Sequence, residues 1–203
     1  MASSIDASTS GAGGVITTAD NTGTLELKSG GTTIATVSST GLAVASGKTL
    51  SVNGTNVPSN IPAFSAYLNT GAQTLSNATW TKLTFNAEEF DTNNNFDATT
   101  NYRFTPTVAG YYQIDVSMYF DYSVSQFTNA EGAIYKNGSA FKKVVQQGYG
   151  GYGTGVISTL IYMNGSTDYL EVYAYISGGS GPQIYSNSLP LGTFFQGFLA
   201  RSA

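Results

Sequence analysis

Along residues 111–121 apolar and polar side chains alternate without a break. Tyr112, Ile114, Val116, Met118 and Phe120 fall on one side, and Gln113, Asp115, Ser117, Tyr119 and Asp121 on the other. Neighbouring side chains of a strand point to opposite faces, so this period of two predicts a strand with one buried face. Residues 169–176 repeat the pattern, with Leu170, Val172, Ala174 and Ile176 facing a core and Tyr169, Glu171, Tyr173 and Tyr175 turned outward. Asn137-Gly138, between residues 133–135 and 141–145, signals a type I′ hairpin, because both central residues of that turn need positive φ. Asn164-Gly165 predicts a second hairpin between residues 156–163 and 169–176. No stretch of useful length carries the 3.6-residue period of an amphipathic helix, and the reading is all-β.

The chain changes character near residue 61. Residues 1–61 hold no aromatic side chain, and every Phe, Tyr and Trp lies from Phe64 onward. Short apolar beats recur in this first part: Leu25 with Leu27, Ile34 with Val37, Leu42 with Val44, and Leu50 with Val52. Gly-rich breaks separate them. Strands this thin cannot bury a private core, which predicts a narrow β-rich stalk held by identical chains. The first ~20 residues, rich in Ser, Thr, Gly and Ala, are expected to order only on docking. Pro58 and Pro62 favour extended backbone and mark the boundary, giving a docking and stalk segment at 1–61 and a head at 62–203.

Composition narrows the chemistry. Charged residues make up 10% of the chain and the net charge is −4, so no electrostatic footprint for nucleic acid or an anionic membrane is present. There are no cysteines and no histidines, which removes disulfides, thiolate metal sites and the commonest general base. A Ser-His-Asp arrangement is therefore impossible, and the adjacent pair Glu88-Glu89 would point to opposite faces of a strand. No stretch reaches the ~18 apolar residues of a membrane span. The N-terminus shows neither a basic region nor an apolar segment of secretory type. We expect no enzyme and no membrane insertion.

Phe85, Asp91, Phe96, Phe104, Gly110 and Tyr112 stand in order, followed by Ile114, Val116 and Met118 at period two. Pro62-Ala63-Phe64-Ser65-Ala66 precedes them and Phe195-Gln196-Gly197-Phe198-Leu199 comes near the C-terminus. This set resembles the globular head of the complement C1q and tumour necrosis factor superfamily over about residues 62–203. Two departures are visible. Seven residues instead of six separate Phe96 from Phe104, and Ile114 and Val116 replace aromatics, an apolar exchange that a core tolerates. The resemblance implies a ten-stranded jelly-roll sandwich assembled as a compact homotrimer, a recognition module with no cofactor. It also implies that the strand near the C-terminus lines the three-fold axis, so Tyr173 and Tyr175, with Tyr119, are the expected trimer contacts. Residues 23–42 resemble repeats of bacteriophage tail fibres.

Three segments are candidate sites. In Gly148-Tyr149-Gly150-Gly151-Tyr152-Gly153, no lysine or helix follows to make a phosphate loop. Tyr149 and Tyr152 could instead present flat amphipathic rings to a host glycan or protein, or fold back onto the sheet. Ser177-Gly178-Gly179-Ser180-Gly181-Pro182 is a second loop of the same kind. Asp91-Thr92-Asn93-Asn94-Asn95-Phe96-Asp97 has oxygen side chains at alternate positions like the start of a calcium loop, but Phe96 stands where Gly is needed and Tyr102 where Glu is needed. Turn capping by the Asp and Asn side chains is the preferred reading; the resemblance to C1q-like heads implies that calcium, if bound, would sit in a site built by several chains near the trimer apex.

These readings converge on a homotrimeric virion fibre or appendage protein of a phage. Residues 1–61 would dock to capsid or tail proteins, and the head would bind the host-cell surface. A purely structural capsid or tail decoration protein and a cellular C1q-like lectin or adhesin are the alternatives.

Overall fold

The computed structural model describes residues 23–52, 55–56, 61–122, 127–146, 151–178, 180–186 and 192–203. The chain divides into two units, Met1–Ser59 and Asn60–Ala203. All described regular structure is strand.

In the first unit β1 (Leu25–Ser29), β2 (Thr32–Ser38) and β3 (Gly41–Val44) form an antiparallel sheet in that order, and β4 (Ser51–Val52) pairs with β5 (Thr55–Asn56). Gly30 and Gly31, with φ of 56° and 78°, supply the left-handed backbone that the tight β1–β2 turn demands. Pairing sets Leu25, Val37 and Leu42 in one cross-strand row and Leu27, Ala35 and Val44 in the next, so one face of the sheet is apolar. Among the unit's described residues only Ala35 is a buried apolar side chain, while Leu25 is 48% and Leu42 56% exposed. The apolar beats thus become strands, but within the chain they do not become a core.

The second unit is a two-sheet sandwich. Its strands are β6 (Ala63–Tyr67), β7 (Ala72–Thr74), β8 (Thr81–Lys82), β9 (Ala87–Asp91), β10 (Phe96–Asp97), β11 (Arg103–Phe104), β12 (Gly110–Tyr122), β13 (Asn129–Lys136), β14 (Ser139–Gln146), β15 (Gly151–Met163), β16 (Leu170–Ser177), β17 (Gln183–Tyr185) and β18 (Phe194–Ser202). The first sheet runs β7-β17-β12-β18-β6-β9, with β15 along the other edge of β12. The second runs β10-β11-β16-β13-β14, with β8 also on β16. All pairs are antiparallel, and chain neighbours such as β15 and β16 lie in different sheets, which is the jelly-roll path.

Between the sheets sits the core that the alternation on β12 anticipates. Tyr112, Ile114, Val116, Met118 and Phe120 are all fully buried, as are Leu170, Val172 and Ala174 from β16. Phe64 stacks on Phe104 at 4.1 Å between ring centres and meets Phe195 edge-on at 5.0 Å. Phe104 in turn meets the Tyr112 ring at 5.4 Å. Buried aromatic pairs of this kind add about 0.5–1.5 kcal/mol each beyond area burial. The Tyr112 hydroxyl donates to the Val108 carbonyl at 2.8 Å, which satisfies the one polar atom of the ring, and burial pushes its pKa up to about 12. Gly110 is required by crowding: a Cβ there would lie 2.6 Å from Leu199 Cδ1 and against the Arg201 carbonyl.

The two Asn-Gly pairs behave differently. Asn137 and Gly138 have φ of 52° and 77° and close the β13–β14 hairpin, as the sequence predicts. Asn164-Gly165 does not make a hairpin, because the strands on either side of it enter opposite sheets. Asn164 instead caps the crossing, its Oδ1 accepting the amides of Ser166, Thr167 and Asp168. Gly165, at φ 70°, packs its backbone against Val108 and Ala109. Asp168 ties both turns together: it accepts from Asn137 Nδ2 at 2.8 Å and the Asn164 amide at 3.0 Å, and pairs with Lys136 at 2.9 Å.

Candidate recognition surfaces

The sandwich presents two outer faces of different chemistry. On the first sheet, β12 turns Tyr111, Gln113, Asp115, Ser117 and Tyr119 outward. Register places Tyr162 beside Tyr111, Leu160 beside Gln113 and Val156 beside Ser117, with Phe198 on the far side of Gln113. Val156 and Leu160 are each 58% exposed, and Tyr111, Tyr162 and Phe198 are exposed as well. Polar side chains interrupt this surface: Gln113 Nε2 donates to Asp115 and to Ser158, and Arg201 lies beside Tyr111. Large exposed apolar side chains gathered on one sheet face are the kind of surface that marks an interaction site.

On the second sheet, the outward residues of β16 find partners within the chain. Tyr173 stacks on Tyr135 at 4.1 Å, and Trp80 lies 5.5 Å from Tyr175 and 6.1 Å from Tyr135. Lys82 donates to Glu171 beside them, and Lys143 pairs with Glu131. Burial and the neighbouring Glu171 carboxylate push the Tyr173 hydroxyl above its ordinary pKa. The result is a half-buried aromatic cluster bordered by charge pairs. Trp80, the single Trp, and Tyr135 belong to it although neither stands out in the sequence; their nearness follows only from the β8–β16–β13 pairing.

The expected trimer contacts are not brought together. Tyr119 lies on the outer face of the first sheet, 6.1 Å from Tyr185, while Tyr173 and Tyr175 lie on the outer face of the second. Tyr119 is therefore in the opposite layer of the sandwich from Tyr173 and Tyr175, which share one face. Tyr149 falls outside the described residues. Tyr152 belongs to β15 opposite Asp121, so the Gly-Tyr run is strand from Gly151 onward. The six signature residues take structural places: Phe85, Phe96, Phe104 and Tyr112 are core, Gly110 answers crowding, and Asp91 caps a turn by accepting the Asn93 and Phe96 amides.

The Asp-Asn run spends its oxygens on the backbone. Asp97 accepts the amides of Thr99, Thr100 and Asn101 together with two side-chain donors, which hold its carboxyl far below the usual range. Among the described residues no cluster of three or more acidic, His or Cys side chains is placed to hold a metal ion.

The fold is that of the C1q and TNF globular heads. Three solved structures share it over about seven-tenths of the chain. The globular domain of zebrafish complement 1qA aligns at 18% identity and TM-score 0.53, covering 71% of this chain and all of that one. Eiger TNF from S. frugiperda aligns at 12% identity and TM-score 0.54, covering 70% and 94%. Murine APRIL aligns at 10% identity and TM-score 0.52, covering 69% and 99%. No protein-family model and no curated protein sequence matches the chain.

Proposed function

We propose that the chain is a non-enzymatic, homotrimeric fibre or appendage protein of a phage virion, whose head recognises the host-cell surface. The observation that carries the assembly is the open apolar face of β12, β15 and β18, with Tyr111, Val156, Leu160, Tyr162 and Phe198 exposed. Burying such a face against copies of itself is the ordinary way to remove it from water. The uncovered row of Leu25, Val37 and Leu42 makes the same demand in the first unit, where three strands cannot supply a core. A stalk wound from several chains and a head packed through its first sheet meet both demands. The second sheet, with its aromatic cluster and charged border, then stays open to a partner.

The virion assignment rests on the layout of thin stalk and compact head and on the fibre-like run at residues 23–42. Sedimentation equilibrium of the full chain tests assembly, with three copies expected at micromolar concentration and a monomer overturning it. Gold-labelled antibody against the head, imaged on particles, tests placement. Label at a distal tip supports host recognition. Label flush with the capsid or tail wall makes the protein a decoration instead.

A further inference from the structure

An open cleft of about 510 Å3 lies among β9, β10, β11 and their connections, lined by Glu88, Asn94, Asp97, Asn101, Arg103 and Thr105 among others. That volume is within the roughly 300–1,000 Å3 of small-molecule sites, but the lining is mostly amide, hydroxyl and charge where such sites are usually apolar. Much of the wall is already committed. Asp97 is consumed by its own turn, and Asn95 is buried, donating to the Asn93 carbonyl and accepting the Thr107 amide.

Four polar lining side chains remain uncommitted, the Thr105 hydroxyl among them. Glu88 and the Asn94 side chain make no hydrogen bond or ion pair within the described residues. Arg103 takes no carboxylate partner there either; its guanidinium lies 4.4 Å over the Tyr169 ring, which fixes its position and leaves its N–H donors unspent. Glu88 and Arg103 therefore share a cleft without closing on each other. Burial and the nearby Asp91 and Asp97 charges hold the Glu88 carboxyl above its ordinary pKa, so a donor from a ligand would relieve it.

We propose that this cleft binds a saccharide carrying a carboxylate. The planar guanidinium of Arg103 takes the sugar carboxylate through paired N–H donors, the geometry in which Arg excels. Glu88 accepts ring hydroxyls, and Asn94, Asn101 and Thr105 supply the mixed donors and acceptors that a polyol needs. Ala98, also in the lining and half-buried, offers a small apolar surface for the face of a sugar ring. The assignment rests on the reading of the head as a host-surface recognition module and names the ligand class for it.

Titration of the full chain with galacturonate, glucuronate and N-acetylneuraminate, followed by NMR shifts or calorimetry, tests the cleft. At least one should bind, galactose should bind at least tenfold more weakly, and glycine and inorganic phosphate should not compete. Arg103→Gln should lower affinity tenfold or more. Glu88→Gln, at an exposed position outside the core, should lower it several-fold with the melting temperature unchanged. Failure of all three acids to bind, equal binding of galactose, competition by glycine or phosphate, or indifference to both substitutions would overturn the proposal. Adsorption of the wild-type chain to host cells without any acid-sugar binding sinks the cleft and leaves recognition standing. Acid-sugar binding by a chain that adsorbs to no cell does the reverse.

Discussion

Replacing Val156 and Leu160 together by Ser should dissolve the proposed trimer and leave the sandwich folded. Both side chains stand on the outer face of β15, each 58% exposed, so neither contributes to the core behind it. Full burial of a Val or Leu side chain is worth about 1.5–3 kcal/mol. With more than half of each still in water, burial in an interface has about 1 kcal/mol per side chain left to contribute. Six such side chains in a trimer give about 6 kcal/mol, or roughly four powers of ten in the association constant. Sedimentation equilibrium from 0.1 to 100 µM would show the wild type trimeric throughout and the double variant dissociating, with the far-UV signal unchanged and the variant's melting dependent on concentration. A double variant that stays trimeric at the lowest concentration refutes the assignment of this face. Tyr173→Ala with Tyr175→Ala is the matching experiment on the other sheet. Because those rings pack on Trp80 and Tyr135 within the chain, their loss should lower the melting temperature without changing the oligomer.

Other outcomes follow from the core and the turns. Phe104→Ala removes a ring held between Phe64 and Tyr112 and should cost about 3–5 kcal/mol in urea unfolding. Gly165→Ala places a Cβ 2.6 Å from the Val108 carbonyl carbon at φ 70°, so a loss of at least about 1–2 kcal/mol is expected in the same assay. Asp168 is buried, which raises its pKa, but Asn137, Lys136 and the Asn164 amide outweigh burial and hold it below the ordinary value. A depressed folded pKa means that its stabilisation is present above about pH 4, the unfolded value, and is lost as pH falls through the folded one. Asp168→Asn should therefore melt lower than wild type at pH 7 and converge with it toward pH 2; a constant gap across that range would contradict the linkage.

What the sequence discloses about this chain follows the range of the interactions involved. The strand β12 is legible because its period of two is local and every inward residue is apolar. The Asn137-Gly138 hairpin is legible because its two positive φ angles are a property of two residues. Asn164-Gly165 misleads for the same reason: the dipeptide encodes a turn, but which sheet the next strand joins is decided by tertiary packing around Val108 and Ala109. The alternation on β16 also gives the correct outward tyrosines, yet not the layer to which β16 belongs. Layer is a property of topology, and only the β13–β16–β8 pairing shows Trp80 and Tyr135 covering Tyr173 and Tyr175.

The same distinction governs the candidate sites. Asp91 and Asp97 draw attention in sequence as acidic side chains at alternate positions, and in three dimensions they are the groups least able to meet a ligand. Their oxygens are filled by amides of the turns they build. Glu88 and Arg103 have no motif, come from separate strands, and retain their hydrogen-bonding capacity. A jelly roll folds through its buried faces, so selection for folding acts on Phe64, Phe104 and Tyr112 and is indifferent to whether a charged group beside the cleft finds a partner. Charged groups kept apart in one cleft cost the fold little if water reaches them, and they are available to whatever the head meets. Function in this scaffold is therefore to be sought among side chains that the fold leaves unsatisfied, and the cleft beside β9 is where the described residues gather them.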